Sequence, residues 1–387
     1  MTLNPGLNIP LVLAALPPQL PPFWPFNNLW VHWIVFSIFI LAFVLMFVIG
    51  FIWFERRAMA RMQARLGPNR AGPFGLLQPI ADAVKVLIKE DIIPACADKP
   101  IYWLAPIVAF APVLMIFAVI PFDNGAQLVD LNVGILYIVA VSSISSLGIF
   151  MAGWASDSKY SLLGAMRNVA SVVSYEIPLM LALAGVVLLS GSMSVNQIVT
   201  NQNIPYILLQ PLGFVIFFMA GSAEINRAPF DLLEADSELV AGFHTEYSGM
   251  KFALFYLVEY AEALVLSSLV ATFFLAGWKG PFLPPWLWFL IKVVAVFFFI
   301  VWIRTTVPRV RIDQMMGLAW KFLFPLALIN LLITGLQVLF WPAGTAMQWV
   351  MVIVNILIAG ILIVAWSRIQ TTAVLPAPLH KEDKVSL

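Results

Sequence analysis

Nine apolar runs, each close to the roughly 20 residues that a helix needs to cross a hydrocarbon core, limit what this chain can become. They fall at 30–54, 101–121, 133–154, 169–191, 205–223, 252–276, 285–303, 321–341 and 347–366. Backbone groups in lipid must be satisfied within the segment, so runs of this kind read as helices. The sequence therefore predicts an all-α polytopic membrane protein. A single transmembrane domain over 30–366 follows an N-terminal segment, 1–29, and precedes a tail, 367–387. Composition agrees: 11% of residues are charged and 62% hydrophobic, against about 25% charged in soluble domains.

All but two of the 21 Lys and Arg residues lie in alternate connections or in the tail. Cations are retained on the cytoplasmic side, so the N-terminus is expected outside and the C-terminus in the cytoplasm. The exceptions are Lys279 in an outer loop and Lys292 in the seventh run. Lys292 fits equally well as a snorkelling side chain beside Trp286 and Trp288 or as a buried charge partner. The first 30 residues contain PPQLPPFWP and no cation, unlike a cleaved signal.

The first basic connection has its own pattern. After Glu55, Arg57, Arg61 and Arg65 recur at helical spacing opposite Met59, Met62 and Leu66, as in a helix lying in the membrane interface. GPNRAGPFG (67–75) interrupts it. A second amphipathic segment sets Gln78, Asp82, Lys85 and Lys89 against Ile80, Val84, Leu87 and Ile88. Both segments suit a lipid surface, and a connection this long also suits a protein partner.

Carboxylates concentrate in one later stretch. Glu224, Asp231, Glu234, Asp236, Glu238, Glu246, Glu259 and Glu262 are eight of the 20 acids. Glu176 lies about seven residues into the fourth run, about 10 Å below the boundary. Glu259 and Glu262 share one face of the sixth run and reach mid-depth. A charged side chain at that depth costs about 2.5–3.5 kcal/mol. Two readings account for three such acids: a static lock, each Glu protonated or paired with Arg227 or Arg167, or a proton pathway of acids perturbed by burial. The one cysteine, Cys96, and three scattered histidines, His32, His244 and His380, cannot assemble a metal or cluster site. Electrons would have to arrive on a partner.

Four long motifs, ERRAMARMQARLGPNRAGPFGLLQPIADAVKVLIKED (55–91), GWASDSKYSLLGAMRNVASVVSYE (153–176), AEINRAPFDLLEADSELVAGFHTEYSG (223–249) and WIRTTVPRVRIDQMMGLAWK (302–321), resemble the quinone-channel membrane subunit of proton-pumping NADH:quinone oxidoreductase, respiratory complex I. The resemblance implies a chain that binds no cofactor of its own. It would enclose a tunnel for a quinone substrate (ubiquinone, menaquinone or plastoquinone) with a hydrophilic iron-sulfur subunit and a quinone-site subunit. Flavin and iron-sulfur clusters would belong to partner subunits. Small membrane subunits would lead on to antiporter-like subunits, with membrane lipid around them and no nucleic acid involved. By the same resemblance, Arg56, Gln63, Arg65, Asp82, Phe230 and Asp231 would line the quinone site. Glu176, Glu224, Glu234, Asp236, Glu238, Glu246, Glu259 and Glu262 would carry protons, and Arg304, Arg309 and Arg311 would dock partners. Asp157, Leu233 and Asp236 depart from the family's usual Asn, Pro and Glu. The Pro-rich start and ninth run extend past the organellar pattern, which implies a bacterial plasma-membrane protein. Related hydrogenase and ferredoxin- or F420-linked complexes use a similar subunit. A stand-alone transporter would need repeated halves, and none is evident.

Overall fold

Long apolar runs with few breakers become long helices. The computed structural model describes residues 29–231, 241–340, 348–358 and 360. Helix α1 spans Leu29–Met62. At 1.5 Å per residue its 34 residues extend about 51 Å, well beyond a hydrocarbon core of about 30 Å. The basic segment after Glu55 thus continues the first spanning helix to Met62 instead of starting a separate one. Between Glu55 and Gly67 there is no Gly or Pro to break it. The second amphipathic segment is the surface helix α2, Gln78–Ile88, with Ile80, Val84, Leu87 and Ile88 exposed.

Next come α3, Lys99–Phe117, α4, Gly134–Ala155, and α5, Lys159–Ser190. Small residues let α3 and α4 approach closely: a Cβ on Gly148 would lie 2.6 Å from the Ala109 backbone nitrogen. Such close approach is how helices associate where lipid is as apolar as the side chains. The short α6, Val195–Asn201, and α7, Tyr206–Leu209, lead to α8, Pro211–Glu224. Gly242–His244 forms a 3₁₀ turn. Then follow α9, Gly249–Phe274, α10, Pro285–Thr306, and α11, Ile312–Leu318. A π turn over Ala319–Leu323 joins α11 to α12, Phe324–Phe340, and α13 is Gln348–Ile358.

Seven described helices are long and apolar enough to cross a membrane, and two shorter apolar ones are α8 and α13. All nine predicted runs thus meet apolar helices, but the fifth is broken. Pro211 disfavours helical geometry at the residue before it, and Gln210 adopts φ −139°, ψ 62°. The carbonyl freed at Leu209 accepts from Asn355 Nδ2 of α13 at 2.5 Å, and Gln210 Nε2 donates to Thr334 Oγ1 of α12 at 3.1 Å. Helix α9 is the axis of the bundle. It is 67% buried over its apolar window, more than any other spanning helix, and contacts α1, α3, α8 and α10.

Candidate functional site

Where the basic connections meet the bundle, four charged side chains from four parts of the chain converge. Glu55 from α1 is 0% exposed and Arg227, just past α8, is 2% exposed. Arg227 Nη1 donates to both Glu55 oxygens at 3.0 and 3.1 Å. Its Nε lies 3.1 Å from Glu259 Oε1 of α9, and Arg304 of α10 bonds Glu55 from the other side. The guanidinium also lies 4.1 Å from the Tyr260 ring centroid. Burial opposes the charge on Arg227, but Glu259 and Glu55 outweigh it and hold the group charged. Two acids balance two guanidiniums, and the two fully buried members, Glu55 and Arg227, pair with each other.

A second chain of acids runs away from this cluster along α4. Ser145 Oγ donates to Glu262 at 2.5 Å, and Ser143 Oγ donates to Glu176. Glu224 meets the Ser142 hydroxyl and lies in the field of Glu176, while Glu262 lies in the fields of Glu224 and Glu259. Ser142, Ser143, Ser145 and Ser146 were not singled out as site residues from the sequence. Their signal is two serine pairs inside an otherwise apolar span.

Two small cavities follow these acids. The first, outer cavity, of about 40 Å³, is lined by Asn226, Asp231, His244, Tyr256, Glu259 and Glu262 among apolar side chains. The other, of about 60 Å³, is lined by Ser142, Ser145, Ser146, Glu224 and Glu262. They share Ile149, Ile225 and Glu262. Each has room for a few waters, so polar groups and space for water reach from the 231–244 region to the middle of the bundle.

The matching family model, described as NADH dehydrogenase, covers residues 35–335. The chain is 63% identical over 313 residues to an NADH-quinone oxidoreductase subunit of Dehalococcoides mccartyi, covering 81% of this chain and 89% of that protein. It is 50% identical over 318 residues to the protein of the same name from Bacillus thuringiensis, covering 79% and 95%. The chain belongs to this NADH dehydrogenase family.

As a member of that family, the chain brings some of the expected quinone residues together and separates others. Arg56 Nη1 contacts Asp82 Oδ2 at 2.5 Å, joining α1 to α2, and Gln78 donates to Asp82 at 3.1 Å. Arg56 also reaches Tyr256, which lines the outer cavity. Gln63 and Arg65 bond each other at 2.7 Å in the exposed segment just past α1, apart from both cavities. Phe230 is buried in the core, its ring centroid 5.6 Å from that of Tyr175, and lines neither cavity. Asp231 does line the outer one and pairs with Arg309 at 3.0 Å.

Arg304 turns inward to Glu55, so Arg309 and Arg311 are the exposed cations of that connection. Glu246 is half-buried, its carbonyl accepting from Tyr102 Oη at 2.8 Å, and it borders neither cavity. Glu234, Asp236 and Glu238 lie outside the described residues. Lys292 bonds the carbonyls of Gly277 and Lys279 at 2.8 and 2.7 Å, so its ammonium pins a turn instead of pairing with an acid. Among the described residues no three His, Cys, Asp or Glu side chains converge to hold a metal.

Proposed function

We propose that this chain is the membrane subunit of a proton-translocating NADH:quinone oxidoreductase. In this reading it forms the membrane wall of the quinone tunnel and carries protons along Glu262, Glu224 and Glu176. The observation that carries the reading is that Glu262 lines both cavities, with serine hydroxyls on Glu262 and on Glu176. The relatives' names favour an NADH-linked complex over the hydrogenase alternative.

Quinone enters between α1 and α2, where Arg56 and Asp82 pair, and its isoprenoid tail rests on the apolar wall. Iron-sulfur and quinone-site partners dock at the cytoplasmic loops, around Arg309 and Arg311, and supply the electrons. Reduction to quinol takes up two electrons and two protons. That uptake changes the charge beside Asp231 and the outer cavity. Acids in mutual contact titrate as a group, so the change passes from Glu259 to Glu262 and on to Glu224 and Glu176. From there the path continues to small membrane subunits and the antiporter-like subunits. The cation distribution supports cytoplasmic loops and an outer N-terminus in a bacterial plasma membrane.

The test is Glu262→Gln in the assembled complex in vesicles. Quinone-dependent proton translocation should fall at least tenfold, while NADH oxidation by an artificial acceptor in the peripheral arm continues. Unchanged translocation in Glu262→Gln and in the Glu224→Gln, Glu262→Gln double variant would defeat the carboxylate path.

A further inference from the structure

The imidazole of His244 has no role in the reading above, yet it lines the same cavity as Asp231, Tyr256, Glu259 and Glu262. Its place is well fixed. Gly242 takes a positive φ of 65°, and a Cβ on Gly164 of α5 would lie 3.0 Å from the Gly242 backbone, so the 3₁₀ turn packs tightly against α5. Ser161 Oγ donates to the Phe243 carbonyl at 2.7 Å. The imidazole is edge-to-face with Phe243 and Phe252, at centroid distances of 4.9 and 5.2 Å.

With the ring held by carbon edges, neither nitrogen has a hydrogen-bond partner among the described residues. A half-buried imidazole with no partner among the described residues is open to what fills the cavity, and about 40 Å³ accommodates water. Burial lowers its pKa to about 4, so near neutral pH the ring is uncharged, with one nitrogen an acceptor and the other a donor.

We infer that His244 relays protons through the waters of the outer cavity, between Asp231 at its mouth and Glu262 at its inner wall. The inference rests on the carboxylate path proposed above. One nitrogen takes a proton from water on one side as the other releases its own to water on the far side. The ring remains neutral overall and ends in the opposite tautomer, which a turn of the ring resets. The titratable groups facing it are Asp231, from the segment after α8, and Tyr256, Glu259 and Glu262 from α9. Helix α4 contributes only apolar Ile149 to this cavity.

The test compares His244→Phe and His244→Gln in the intact complex in vesicles, with Glu262→Gln alongside and assembly judged by co-purification of the peripheral subunits. Phe keeps the aromatic packing without nitrogens, and Gln keeps hydrogen bonding without a tautomer shuttle. A relay predicts that both variants slow quinone-coupled proton translocation at least tenfold, with an increased solvent deuterium isotope effect. A wild-type rate in either one overturns the relay: in Phe it assigns the ring to packing, in Gln to hydrogen bonding. A changed KM for quinone with normal translocation also overturns it. Should Phe fail to assemble, Gln and the isotope effect decide. If Glu262→Gln is impaired while the His244 variants are normal, the relay alone fails. If Glu262→Gln is normal as well, the carboxylate path beneath it fails too.

Discussion

Glu259 and Glu262 lie one helical turn apart on α9, yet the first sits among Arg227, Arg304 and Glu55, and the second meets a serine hydroxyl and lines both cavities. A guanidinium only donates, so toward an acid it favours the ionised carboxylate. A hydroxyl both donates and accepts, and can serve an acid in either protonation state. Of the two readings that the sequence leaves open, ion pairing of the kind a static lock needs is seen at Glu259, while Glu262 is where the proposed pathway would enter the bundle. The same residue type, three positions apart, meets a guanidinium in one place and a hydroxyl in the other.

Breaking the ion cluster should have the largest effect. Arg227→Met leaves Glu55 and Glu259 buried with Arg304 alone, and losing one partner of a buried pair costs about 3–5 kcal/mol. The expected outcome is loss of assembled complex from membranes, measured by native gel. Adding Glu55→Gln to Arg227→Met should recover part of it. Glu262→Gln should leave assembly intact.

An intermediate effect tests the entrance. Asp82→Asn removes the charged partner of Arg56, a charge-assisted bond worth about 1.5–3 kcal/mol. The KM for quinone should rise about tenfold or more, whereas Arg65→Gln, in the exposed segment just past α1, should change it less than twofold. Equal effects in steady-state kinetics would erase that distinction. On the hydroxyl side, Ser145→Ala removes a bond of about 1 kcal/mol and should slow translocation about fivefold without affecting assembly.

The smallest effect is a pH dependence. His244 is neutral in the folded protein down to about pH 4, against an ordinary value of 6.5. Between those values the unfolded chain binds the extra proton, so this contribution is fully present above pH 6.5 and is lost as pH falls toward 4. Thermal melting of the solubilised complex should therefore fall more steeply over that window in the wild type than in His244→Phe.

The spanning helices and the mid-depth acids were legible in the sequence because hydropathy and depth are local quantities. An apolar run of about 20 residues declares itself, and Glu176, Glu259 and Glu262 stand out inside such runs. What they face was not legible. Nothing adjacent to Glu55 says that it meets Arg227, 172 residues later, or that Arg304 turns inward to the same carboxylate. The serines of α4 are ordinary in a membrane helix, where a hydroxyl can bond its own backbone. Only the packing of α4 against its neighbours turns them toward acids. Arg56 and Asp82 came from the family resemblance, and their pairing depends on α2 folding back along α1.

The Leu209 carbonyl gives α13 a purpose. A helix break in hydrocarbon strands an acceptor that lipid cannot satisfy, and Asn355, itself paired with Gln337 at 2.5 and 3.0 Å, supplies the missing donor. A chain without α13 would face the bilayer with an open wound at Leu209, so this helix is a repair on which the kinked fifth crossing depends.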